Sequence, residues 1–150
     1  MPELPKFENF NQEIADAMLK GSSKAQTGIA SYLGINLLEF GPGTLTAELE
    51  VVDELITPNG TMHGGVMAAF MDHVLGVVCY PVMDVGKWAA TTEFKLNYMA
   101  AIRGGTLTAK SEVVSMTRST IVVRALVENA GRLCCSAQGT LLIREPKVKT

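Results

Sequence analysis

The sequence predicts an α+β fold in which an antiparallel sheet curls around one long central helix. Three observations carry this. The elements run as two strands, one long helix and then about four strands, so helix and strands are segregated rather than alternating. The stretch 66–83 is apolar except for Asp72 and His73, and a helix apolar on nearly all sides belongs inside a protein. The later segments alternate apolar and polar residues, which gives each a face to lay on that helix.

Each element has its own signal. Residues 7–19 carry Phe7, Phe10, Ile14, Ala17 and Met18 near helical spacing, and Gly21-Ser22-Ser23 ends the helix. A second short helix is expected over about 24–33. Residues 35–40 read as a strand, Gly41-Pro42-Gly43 as a turn, and 44–52 as a second strand with Leu45, Ala47, Leu49 and Val51 on one face. Residues 53–60 form a loop through Pro58-Asn59-Gly60, and the long helix follows at about 64–80. After a loop at 83–87, strands are expected at 88–99, 107–116, 119–128 and 132–143. Gly104-Gly105 and Asn129-Ala130-Gly131 mark turns between them. The chain thus divides into a helical extension (1–27), a main domain (28–144) and a tail (145–150).

Composition narrows the class. A length of 150 residues suits one domain, and 47% hydrophobic with 19% charged residues excludes a disordered chain. The 13 Lys+Arg against 15 Asp+Glu leave a net charge of -2, so bulk charge gives no reason for a nucleic-acid partner. The 66–83 stretch is long enough to cross a bilayer. A central Asp-His pair is costly in lipid, Pro81 breaks the end and no basic flank follows, so no membrane span is expected. The opening Met1-Pro2-Glu3-Leu4-Pro5-Lys6 lacks a basic region followed by an apolar run, so no secretory signal is expected. Cys79, Cys134 and Cys135 are odd in number and have no C-x-x-C spacing. Reduced thiols in a cytoplasmic protein are the simplest reading.

The segment with chemical content is Thr57-Pro58-Asn59-Gly60-Thr61-Met62-His63-Gly64-Gly65, followed by the helix with Asp72. Two glycines at a helix start admit close approach to the backbone, and the free N–H groups there suit an anion or a developing oxyanion. Close packing of another element is the alternative use of the same glycines. Asp72 lies among Phe70, Met71, Val74 and Leu75, which predicts a buried carboxylate. Such a group is either a general base or a structural acceptor. His63 polarises a carbonyl or holds the loop, and His73 packs or faces a subunit. Two histidines without acidic residues at ligand spacing give no metal site. There is no G-x-S-x-G, and Cys134 and Cys135 have no base nearby in sequence.

Geometry adds a constraint. Gly64 and Asp72 are about 12 Å apart along one helix and roughly 80° apart around it. One reacting centre within hydrogen-bond reach of both is impossible in a single chain. Two antiparallel copies about a twofold axis would bring Asp72 of one to Gly64 of the other.

At these residues the chain resembles the hot-dog fold acyl-CoA thioesterases, in the branch with phenylacetyl-CoA and hydroxybenzoyl-CoA thioesterases. The match covers about 28–144 and is most specific at Gly60-Thr61-Met62-His63-Gly64-Gly65 followed by Asp72. Arg118-Ser119-Thr120 and the closing strand from Gly131-Arg132 to Gly139-Thr140 also look like the family. The resemblance implies a homodimer with a continuous sheet, often paired into a homotetramer. It implies hydrolysis of an acyl-CoA without metal or covalently bound cofactor, coenzyme A entering only as part of the substrate.

Carried over by position, the Gly64 N–H would bind the thioester oxygen and His63 would polarise or position that carbonyl. Asp72 of the second chain would activate water or attack as nucleophile. Thr91 falls where relatives carry a Ser or Thr that orients the water or carboxylate, although strand parity does not decide between Thr91 and Thr92. Substrate contacts are implied at Gly65, Tyr98, Met99, Arg103, Thr117, Arg118 and Ser119, with Arg103 and Arg118 as the natural phosphate partners. Phe70, Met67, Leu75 and Met71 are candidates for the acyl pocket. One departure stands out: many relatives have Asn where this chain has Thr57, and Asn59 is out of register. Thr57 is the feature that favours the second reading, a non-catalytic hot-dog module binding acyl-CoA or an apolar ligand.

Overall fold

The computed structural model describes residues 3, 5, 7–22 and 28–146. Helix α1 spans Gln12–Ser22 and α2 spans Gly28–Leu33; β1 is Asn36–Gly41 and β2 is Thr44–Val51. The central helix α3 is Gly64–Val77, and β3 (Trp88–Tyr98), β4 (Gly105–Met116), β5 (Thr120–Asn129) and β6 (Arg132–Arg144) follow. The six strands form one antiparallel sheet in the order β1-β2-β4-β5-β6-β3. This is the expected hot-dog arrangement, with the sheet curled over α3.

The core lies between α3 and the concave face of the sheet. Met67, Phe70, Met71, Val74 and Leu75 repeat at helical spacing and are at most 1% exposed. They meet the inward residues of the strands, among them Leu49, Leu107, Ile121, Val123 and Leu141, all fully buried. Burying each such side chain contributes about 1.5–3 kcal/mol. Ser111 of β4 is the one buried polar residue among those described, and its hydroxyl donates to the Val74 carbonyl at 3.0 Å, pinning α3 to the sheet.

The element ends have local causes. Helix α1 starts at Gln12 rather than near residue 7 because the Asn11 side chain accepts from the Ile14 N–H and caps it. Ser23, and the part of the second expected helix over 24–27, lie outside the described residues, as does the tail beyond residue 146. Helix α3 stops at Val77, short of residue 80, and a 3-10 turn at Tyr80–Val82 follows. Pro81 in that turn lacks the N–H that a continuing helix needs.

The sheet has two edges, and they differ. On β1, the Ser22 hydroxyl accepts from the Leu37 N–H at 2.8 Å, so α1 covers that edge. The outer edge of β3 has no strand beside it among the described residues.

One expectation is overturned. Asp72 is exposed, not buried. Its apolar neighbours in sequence turn to the sheet, whereas Gly65, Ala68, Ala69, Asp72 and Gly76 share the opposite face of α3 at spacings of three, four, seven and eleven. The sheet covers one side of α3 only. The run Gly64–Val82 is apolar and long enough to cross a membrane by length and composition, and 56% of it is buried inside this fold.

Candidate active site at the start of the central helix

The loop before α3 is a small hairpin. The Thr57 N–H donates to the Thr61 carbonyl at 2.8 Å and the His63 N–H to the Leu55 carbonyl at 2.9 Å, around the bridge between Ile56 and Met62. The turn closes with Gly60 N–H to Thr57 carbonyl at 2.8 Å, and Gly60 has φ +75°, a left-handed conformation open to glycine. Arg103 holds the same turn from outside, its guanidinium donating to the Gly60 carbonyl at 3.3 Å.

His63 is the N-cap of α3. Its Nδ1 accepts from the Gly65 N–H at 2.9 Å. The neutral ring therefore carries its proton on Nε2, which is left to face a ligand. The Gly65 N–H is spent on this cap, so its expected ligand contact does not come from that group. The Gly64 N–H has no acceptor among the described residues. It lies in the first turn of α3, where the helix dipole favours negative charge.

Tyr98, at the end of β3, donates its hydroxyl to the Gly64 carbonyl at 2.8 Å. The ring sits 3.5 Å from where a Gly64 Cβ would be, in van der Waals contact with the helix start. Beside this contact lies a cleft of about 320 Å³ whose walls include Met62, Met67, Tyr98, Met99 and Cys134. Met67, itself almost fully buried, and the exposed Met99 both line this cleft. Phe70, Met71 and Leu75 are fully buried in the core. Composition does not separate core from pocket residues.

Asp72 stands on the uncovered face of α3, about 12 Å along the axis from Gly64. A second cavity, of about 180 Å³, opens between α1, α2, β1 and α3, with Ala30, Leu37, His73 and Val77 in its walls. Burial lowers the His73 imidazole below the ordinary histidine range, against the smaller opposing pull of the Asp72 charge. Thr91 pairs with Leu141, a fully buried inward residue, so its side chain is on the concave face; Thr92 instead bonds the Thr140 carbonyl at 2.8 Å. The register therefore assigns Thr91, not Thr92, to the side facing α3.

The two arginines are not neighbours. Arg103 is at the turn that leads into α3, whereas Arg118 lies by the loop that follows it, near Asp84 and Lys87. Helix α3 separates them by roughly 20 Å of axis. Thr117 is occupied within its own turn, its hydroxyl accepting from the Ser119 and Thr120 N–H groups at 3.3 and 3.0 Å. Arg118 and Ser119 are exposed beside it.

Thr57 is the residue whose surroundings sequence reasoning could not supply. Its hydroxyl is buried and is the one buried side-chain oxygen or nitrogen without a hydrogen-bond partner among the described residues. Burial also raises the Cys79 thiol to about 12 and the Cys135 thiol to about 11, so both stay protonated and poorly nucleophilic at neutral pH. No cluster of three or more His, Cys, Asp or Glu with metal-binding geometry occurs among the described residues.

Comparison with known proteins bears on the family and the fold. The family model described as the thioesterase superfamily matches residues 59–136, just over half of the chain. A 1,4-dihydroxy-2-naphthoyl-CoA hydrolase of Listeria monocytogenes is 22% identical over 121 residues, covering 80% of this chain and 98% of that protein. A solved structure of a conserved protein from Pseudomonas aeruginosa superposes with a TM-score of 0.76 at 25% identity, covering 81% of this chain and 98% of its own. The structure of a thioesterase from Haemophilus influenzae gives a TM-score of 0.77 at 23% identity, with 95% and 93% covered.

Proposed function

The chain belongs to the thioesterase superfamily, and from that premise we propose that it hydrolyses an acyl-CoA thioester at a site shared by two copies. The observation that carries the proposal is the split along α3. A free N–H at Gly64 and an exposed carboxylate at Asp72 sit on one helix, too far apart to serve one reacting centre.

Two copies paired antiparallel supply both groups to one substrate. The thioester oxygen accepts from the Gly64 N–H, in the positive end of the helix dipole, with the His63 Nε2–H beside it. Asp72 of the second copy takes a proton from water as the water oxygen adds to the carbonyl carbon. Direct attack by the carboxylate is the other route open to it. The carbon–sulfur bond then breaks, and coenzyme A leaves as the thiolate and takes up a proton. Thr91, on the same chain as that Asp72, orients the water or the carboxylate.

The same pairing gives the arginines a joint use. The second copy's Arg118 comes to the end of the helix pair that holds Gly64 and Arg103 of the first, so both guanidinium groups reach one phosphate-bearing ligand. The acyl group takes the cavity between α1, α2 and α3 that Ala30 and Val77 line. The name of the Listeria relative, a CoA thioester hydrolase, supports this substrate class. A homodimer is the smallest working unit, and a homotetramer is two of them.

The test is thiol release from a panel of short, long and aromatic acyl-CoAs. The expected result is turnover by the wild type and a loss of at least about a hundredfold in Asp72→Asn. Equal rates for the two proteins would sink the mechanism. A second reading, a binding module without turnover, is favoured by Thr57, whose buried hydroxyl meets no partner. It predicts saturable binding of acyl-CoA with no thiol released.

A further inference from the structure

Strand β3 changes phase at one residue. Thr91 pairs with Leu141 and Glu93 with Thr140, so Thr92 is an extra residue with no partner across the ladder. Side chains alternate along a strand. In a regular strand with Phe94 and Leu96 turned to the core, Thr92 would point inward and Thr91 outward. The bulge reverses this and lets Thr91 and Phe94 both face the concave side.

Two features hold the bulge. The Thr92 hydroxyl donates to the Thr140 carbonyl at 2.8 Å, across the gap where the ladder is broken. On β6, Gly139 lies under the kink: a Cβ there would be 2.6 Å from the Phe94 Cβ and 2.7 Å from the Glu93 carbonyl oxygen. Only a residue without a side chain fits.

The inward turn of Thr91 has a destination. Its pair mate Leu141 reaches to within 4.0 Å of where a Gly76 Cβ would be. Gly76, half-buried, is one helical turn beyond Asp72 along α3. Thr91, exposed on the inner face of the edge strand, is thus the neighbour of the one side chain within 4 Å of that Gly76 position.

We infer that Thr92 is a positioning residue, whose hydroxyl locks the β3 bulge and so turns Thr91 toward the Asp72 face of α3. The inference rests on the thioesterase reading above. Thr92 touches no reacting atom and acts only through Thr91.

The test is a double-mutant cycle on thiol release. Thr92→Val, which keeps the shape and removes the donor, lowers kcat by about fivefold or more, as for loss of one hydrogen bond, with KM within about twofold. Thr92→Ser keeps the hydroxyl and restores kcat. Thr91→Val combined with Thr92→Val falls no further than Thr91→Val alone, because the second residue works through the first. Wild-type kcat in Thr92→Val, or independent losses that multiply in the double variant, overturns the inference. A wild type that releases no thiol from any acyl-CoA removes the thioesterase reading instead. The positioning claim is then read from a crystal structure of Thr92→Val. A shifted register of residues 88–91 against β6 upholds the lock, and an unchanged register overturns it.

Discussion

The Tyr98 hydroxyl donates to the Gly64 carbonyl at 2.8 Å. This bond ties the end of the edge strand to the first residue of the central helix, and so holds in place the helix start that presents the Gly64 N–H. Tyr98→Phe keeps the ring and loses the bond. The expected outcome is a fall in kcat/KM of about five- to tenfold and a loss of about 1 kcal/mol in stability, read by thiol release and by urea unfolding.

His63 has two separable duties. As N-cap it satisfies the Gly65 N–H through Nδ1, and it presents Nε2–H outward. His63→Ala is expected to cost about 1 kcal/mol of stability and most of the activity. His63→Asn keeps a capping oxygen, so it recovers the stability and not the rate. Thermal unfolding and kcat on the same two proteins check this; full activity in the Asn variant would leave His63 as a cap alone.

Thr57 offers the opposite balance. Its hydroxyl is buried without a partner. Thr57→Val removes a polar group that packing already excludes from water, and stability is expected to rise by about 1–2 kcal/mol. Urea unfolding midpoints measure it, and a fall in stability would show that the hydroxyl has a partner in the assembled protein.

His73 sets a pH dependence. Burial holds its folded-state pKa below the ordinary value of 6.5. The unfolded chain therefore takes up a proton first as pH falls. Stability from this group is fully present above about pH 6.5 and declines as pH drops toward the lower folded value. Unfolding free energy followed from pH 7.5 down to pH 5 is expected to fall less steeply in His73→Phe than in the wild type. Parallel curves would contradict this.

The cavity between α1, α2 and α3 makes a claim about substrate size. Ala30 lines it from α2, away from the reacting groups. Ala30→Trp is expected to lower kcat/KM for long acyl-CoAs by about tenfold or more while sparing the shortest, since bulk in an apolar pocket discriminates by roughly that much. A uniform effect across the panel would move the acyl group elsewhere.

Much of this was legible in the residues taken in order. Alternation in β2 placed Leu45, Ala47, Leu49 and Val51 on one face, and all four are buried there. The glycine pair after His63 marked the helix start, and the eight-residue spacing from Gly64 to Asp72 already required a second copy for any joint chemistry. These features are local: periodicity and spacing along one element decide which residues share a face.

The tertiary structure decided what those faces meet. Asp72 is exposed because the sheet covers only the other side of α3, a fact that depends on strands far away in the chain. Thr91 faces inward because one unpaired residue in β3 resets the alternation, and that residue is identified only by how its neighbours pair with β6. Arg103 and Arg118 fall at opposite ends of α3 because their loops enter the sheet at opposite ends. The sequence by itself determined the elements, the hot-dog class and the residues worth testing. Register, coverage and distance came from contacts between segments that are remote in sequence, which local propensity does not encode.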